Sequence, residues 1–118
     1  MRRESPAHVW DAVESATAVR TFVAGRTESE FLSDLLLRSA VERQLEILGE
    51  ALNRLRQIDP ETATRIPDLR RIIGMRNVIA HEYGTVDYEI VWSAVTTRVP
   101  ELIGFLQSLL EEAPTTLE

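Results

Sequence analysis

Apolar residues along this chain recur at helical rather than strand spacing. Val9, Trp10, Val13 and Ala16 mark one side of a helix that Ser5 caps, Pro6 opens and Gly25 closes, so a first helix is expected over roughly 6 to 24. Thr27 and Ser29 are cap candidates for a second helix, in which Phe31, Leu35, Val41, Leu45, Leu48, Leu52 and Leu55 form a long stripe. That helix is expected over 28 to 57 with a bend near Ser39, and Asp59-Pro60 stops it. Ile66-Pro67-Asp68 opens a third helix through Leu69, Ile72, Ile73, Val78 and Ile79, with Gly84 closing its C-terminus just past Tyr83. Asp87 caps a fourth helix carrying Ile90, Val91, Trp92 and Val95. Pro100 either kinks it or starts a fifth piece through Leu102, Ile103, Phe105, Leu106, Leu109 and Leu110.

No useful stretch of strand-like alternation, no repeat and no Gly-rich phosphate loop interrupts this pattern. The fold expected is all-α, an up-and-down bundle of four to five helices in a single domain over 1–112, with 113–118 a frayed tail. Leu36, Leu37 and Ile47 lie off the main stripe of the second helix, and the last helix is apolar beyond the needs of one buried face. A homodimer formed through helix surfaces accounts for both.

Composition narrows the class. A chain of 118 residues, 44% of them hydrophobic, is long enough for a core and too apolar for disorder. It has no cysteine, no apolar run of membrane-spanning length and no leader pattern, so a cytoplasmic protein without membrane contact is expected. A net charge of −6 argues against a broad nucleic-acid-coating face, so any RNA contact must be local. All 13 basic residues are arginine, and Arg65, Arg70, Arg71 and Arg76 make a basic cluster inside an acidic chain.

That cluster runs into the candidate chemistry, Arg76-Asn77-Val78-Ile79-Ala80-His81-Glu82-Tyr83. His81 carries the side chain whose ordinary pKa lies nearest neutrality, suiting it to move a proton at cellular pH. Arg76 has a planar guanidinium matched to phosphate and to the charge that develops on it. Five residues separate the two, an offset of about 140° around an ideal helix, so they do not stack on one face. Asn77 shares the face of His81 and can orient the ring or bind phosphate, with Arg71 as a further phosphate contact. Such groups suit metal-independent RNA cleavage by the ribose 2′-hydroxyl, with the second acid–base residue supplied across a symmetric dimer. The same residues also fit a surface ion pair, a helix-end histidine and a packed Tyr83. Glu46 and Glu50, at i, i+4, read as structural, and His8 as exposed. His81-Glu82 lacks the second histidine of the zinc-protease pattern, and no metal site is expected.

Arg76-Asn77, three residues, His81, one residue and Tyr83 resemble the motif of HEPN-type ribonucleases, specifically the HepT-like toxins. Arg43-Gln44-Leu45-Glu46-Ile47-Leu48-Gly49-Glu50-Ala51 resembles the family's long-helix signature, and Asp87-Tyr88-Glu89-Ile90-Val91-Trp92 its last helices, so the likeness covers roughly residues 9 to 110. The resemblance implies a homodimeric endoribonuclease toxin of a type VII toxin–antitoxin system. Arg76 and His81 would be catalytic in a dimer cleft, no cofactor would be bound, and a minimal nucleotidyltransferase antitoxin would use ATP and magnesium to AMPylate Tyr83. An alternative is a non-catalytic helical subunit of a nucleotidyltransferase complex. Glu82 departs from the family pattern, which often has glycine there; an acidic side chain at that place repels RNA or raises the histidine pKa.

Overall fold

A computed structural model describes residues 1–81 and 86–113, with side chains through residue 75 and again from residue 86. The helices in chain order are α1 (Ser5–Val23), α2 (Glu28–Ser33), α3 (Leu35–Ile58), α4 (Pro60–Ala63), α5 (Leu69–His81), α6 (Tyr88–Ser93) and α7 (Val99–Glu112), with a π-helical turn, Ala94–Arg98, joining the last two. No strand occurs among the described residues. The expected all-α bundle is the fold observed.

α1 and α3 lie against each other, α7 closes the bundle against α1, and α5 packs on the opposite flank of α3. The stripe of α3, Val41, Leu45, Leu48, Leu52 and Leu55, is buried against Val9, Ala12, Ala16 and Val19 of α1 and Leu102, Ile103, Leu106 and Leu109 of α7. Burying a Val or Leu side chain contributes about 1.5–3 kcal/mol, so these three helices hold most of the hydrophobic driving force.

Several boundaries differ from expectation. The long second helix is two helices, and the break falls at Asp34 rather than near Ser39. Thr27 and Glu30 form a reciprocal capping box at the start of α2, and the Asp34 side chain accepts from the Leu37 backbone N–H to start α3. Ser5 does not cap α1; it is buried in the first turn, and its hydroxyl donates to Asp59 across the fold. Trp10 lies on the solvent side of α1, 55% exposed, and His8 is half-buried rather than exposed. Leu37 is buried, whereas Leu35 and Leu36 are exposed. Gly25, with φ +73°, ends α1 in the left-handed conformation that glycine adopts without strain.

Pro100 stands in the first turn of α7, the fifth piece expected from it, and the helix before it runs into α7 through the π turn. Proline lacks an N–H and crowds the carbonyl four residues back. The chain responds by widening one turn: the Val99 N–H reaches the Ala94 carbonyl, five residues back. The hydroxyls of Thr96 and Thr97 donate to the Trp92 and Ser93 carbonyls beside it.

Candidate functional site

α5 places the motif. Asp68 starts it from a left-handed backbone conformation, φ 57°, which aspartate tolerates better than most residues. Its carbonyl accepts from the Arg71 and Ile72 N–H groups. Leu69 and Ile73 then anchor the helix to the core. Arg76, Asn77 and His81 lie within α5; their positions along the helix are described, their side chains are not. Glu82, Tyr83 and Gly84 lie outside the described residues.

Helical register nonetheless orders the site. Taking about 100° per residue, Arg76 falls about 60° around α5 from Ile73. His81 falls about 20° from Gly74, two turns on, in a column on the other side.

The Gly74 column borders an open groove of about 560 Å³ between α3, α5 and α6. Leu45 and Leu48 form its floor, Ile72 and Met75 one wall, and Val86, Ile90 and Val91 the other. Arg71 and Arg98 also line it. Ile90 is 63% exposed there, a large apolar side chain left in water. Gly74 itself is unexplained by its own fold. A helix-interior glycine costs about 1 kcal/mol relative to alanine, yet a Cβ built at Gly74 meets nothing within 4 Å, and its φ is not positive.

The structure thins the basic cluster. Arg65 is turned away into a two-armed pair with Glu112 of α7, 2.8 and 3.0 Å, which raises the arginine pKa and lowers that of the carboxyl. Arg70 and Arg71 remain exposed on α5, and Arg98, supplied by the π turn, pairs with Asp68 at 3.6 Å. Arg98 was not among the residues singled out by pattern, because its approach to α5 depends on how the last helices return. Glu46 and Glu50 pair with Arg43 and Arg54 along α3, in keeping with a structural role.

A second cluster missed by pattern holds the start of α6. The Tyr88 ring meets Phe31 edge-on at 6.3 Å and lies under the Arg38 guanidinium at 4.9 Å, while Phe31 also packs on Trp92 at 5.3 Å. A hydrogen bond to Glu42, reinforced by burial, pushes the Tyr88 phenol pKa up. Asp87 caps the helix, accepting from the Glu89 and Ile90 N–H groups.

Residues 12–109 match the family described as "Ribonuclease HepT-like". A protein of Methanocaldococcus jannaschii named "Putative RNase" is 33% identical over 86% of this chain and 92% of its own length. One of the same name from Caldanaerobacter subterraneus is 34% identical over 76% of this chain and 80% of its own. A "Probable ribonuclease HepT" of Thermococcus cleftensis is 31% identical over 92% of this chain and 98% of its own. No solved structure gives a significant match. No helix among the described residues is long and apolar enough to cross a membrane.

Proposed function

This chain belongs to the HepT-like ribonuclease family, and from that premise we propose that it is a metal-independent endoribonuclease toxin of a type VII toxin–antitoxin pair. His81 takes the proton from a ribose 2′-hydroxyl, whose oxygen attacks the adjacent phosphorus. The 5′-oxygen of the next nucleotide leaves with a proton, giving a cyclic 2′,3′-phosphate end. Arg76 steadies the charge on the phosphoryl oxygens, and Asn77 and Arg71 hold the flanking phosphate. The observation that carries this reading is the family match over residues 12–109, which contains the whole motif.

One helix supplies one histidine, and the two roles of base and acid are met when a second copy brings its own. The apolar groove beside Gly74, with Ile90 exposed at its edge, is the surface on which that copy would seat, since a helix without a Cβ lets another backbone approach closely. A minimal nucleotidyltransferase antitoxin then silences the dimer by AMPylating Tyr83 from ATP and magnesium, adding bulk and negative charge where RNA must bind. The alternative, a non-catalytic helical subunit of a nucleotidyltransferase complex, draws its support from Glu82, an acidic residue at a place that is often glycine in the family.

One experiment separates the two. Purified protein is incubated with RNA in chelator, beside His81→Ala, and its intact mass is read after treatment with a nucleotidyltransferase encoded next to it, ATP and magnesium. Cleavage that falls by about 10²–10⁴-fold in His81→Ala is expected, with an AMP adduct on wild type and none on Tyr83→Phe. Cleavage retained in His81→Ala removes the mechanism, and an adduct on both proteins removes the Tyr83 assignment. A wild type that binds the transferase but cuts nothing favours the non-catalytic subunit.

A further inference from the structure

Arg98 stands outside the motif, yet the fold brings it to the helix that carries the motif. Its guanidinium, at the end of the π turn, meets the Asp68 carboxylate at 3.6 Å. The Asp68 carbonyl accepts from the Arg71 N–H, so both arginines are tied to the start of α5. Both also line the groove between α3, α5 and α6.

These two guanidinium groups are held more lightly than other arginines of the chain. Arg65 commits two terminal nitrogens to Glu112 at 2.8 and 3.0 Å, and Arg43 and Arg54 pair with carboxylates of their own helix. Arg98 makes one longer contact in which the two side chains stay 36% and 53% exposed, and an exposed pair of that kind is easily exchanged for another anion. Arg71 is exposed, and no carboxylate among the described residues lies within ion-pair distance of it. The acidic residue that lines the groove, Asp87, is already turned onto the Glu89 and Ile90 N–H groups. In a chain of net charge −6, two guanidinium groups from separate elements that converge on one groove without full neutralisation point to an anion from outside the chain. A planar guanidinium fits a phosphate diester, whereas the apolar floor of the groove is left for the second copy.

We propose that Arg71 and Arg98 form a phosphate track for an RNA strand, a few nucleotides from the bond that is cut. The reading rests on the ribonuclease function proposed above. It adds Arg98 as a binding residue and makes a strand of several nucleotides the preferred substrate. Ten residues separate Arg71 from His81, about 15 Å along the axis of α5. A strand advances about 3.4 Å per stacked nucleotide, so the span is roughly four nucleotides.

The test reads the affinity of a labelled single-stranded RNA of about 12 nucleotides against salt concentration, in a His81→Ala background so that the strand survives. Counterion release lowers log K with log salt by about 0.7 per phosphate contact on a single strand. Arg71→Ala and Arg98→Ala are each expected to weaken binding about threefold to tenfold at low salt and to flatten the slope by about 0.7, while Arg65→Ala leaves the slope unchanged. Asp68→Asn separates a phosphate contact from a structural tie. It removes the partner of Arg98 yet keeps a residue suited to the left-handed backbone at φ 57°, so binding should tighten about twofold or more. An equal loss of affinity in Asp68→Asn and Arg98→Ala overturns the proposal, because Arg98 would then serve only to join the π turn to α5. Arginine variants that turn monomeric in sedimentation with slopes unchanged also overturn it, since those side chains would then meet carboxylates of the second copy. Unchanged slopes beside a wild type that cuts RNA overturn the track and leave the ribonuclease reading standing. A wild type that binds RNA through both arginines yet cuts nothing upholds the track and removes that reading, and absence of RNA binding removes both.

Discussion

Two polar clusters lie toward opposite ends of α3, and they are built to different standards. At the corner between α3 and α4, Asp59 is 4% exposed, yet both its oxygens are satisfied. The Ser5 hydroxyl at 2.7 Å, the Thr62 hydroxyl at 2.7 Å and the Arg2 N–H at 2.9 Å donate to Oδ2, and the Thr62 N–H at 3.2 Å donates to Oδ1. At the start of α6, Arg38 and Glu42 each leave one buried atom unpaired. A saturated network ties the chain's beginning to its middle and specifies the fold; a half-used one carries a cost that packing does not require. The difference separates a fully satisfied cluster from one with polar atoms to spare.

That contrast can be broken first at Asp59. Asp59→Ala removes the acceptor of four donors at once and should destabilise the protein by about 3 kcal/mol or more in a denaturant titration. RNA cleavage per folded molecule should stay unchanged. A loss under 1 kcal/mol would show that the corner is not what holds α1 and α4 together.

Acid sharpens the same point with a slightly smaller effect. Burial pushes the Asp59 carboxyl up, but the hydrogen bonds from Arg2, Thr62 and Ser5 outweigh it and hold the group well below the usual carboxylate range. A depressed folded-state pKa means the stabilisation is complete above the unfolded value of about 4 and drains away as the pH falls through the folded value. Wild type should therefore lose stability between about pH 4 and pH 2 faster than Asp59→Asn, which has no charge to neutralise at that site. Parallel curves would mean another carboxylate governs acid unfolding.

The smallest change tests the open side. Gly74→Leu adds side chain to a helix position with nothing within 4 Å, so the monomer should gain about 0.5–1 kcal/mol from helix propensity. If the groove seats a second copy, that same side chain should shift sedimentation toward monomer and cut RNA cleavage. A variant that stays dimeric would free the groove from that role.

These tests fall where sequence and structure parted. The helical class, the stop at Asp59-Pro60, the Thr27 cap, the Gly25 terminus and the Asp87 cap were legible because each is a local preference of a few residues for one backbone conformation. The break at Asp34 was not, since the apolar stripe runs through it and only the side-chain bond to the Leu37 N–H reveals a new start. The π turn before Pro100 was hidden for a similar reason: proline announces a missing donor, not how neighbouring carbonyls will be satisfied. Of the candidate site, Arg76, Asn77 and His81 were found by residue type and spacing. Tyr88 was noted only as part of the family-like segment, because its neighbours Phe31 and Arg38 are 57 and 50 residues away.

The sequence by itself therefore determined the helical class, the Thr27 and Asp87 caps, the stops at Gly25 and Asp59-Pro60 and the order of the motif residues, all of which depend on neighbours within a turn or two. Only the tertiary structure decided that Ser5 serves Asp59 rather than its own helix, that Arg65 leaves the basic cluster for Glu112, and that Gly74 borders an open groove. Those outcomes depend on which side chains meet across helices, and hydrogen bonds and ion pairs form wherever packing of the apolar faces brings their partners within reach.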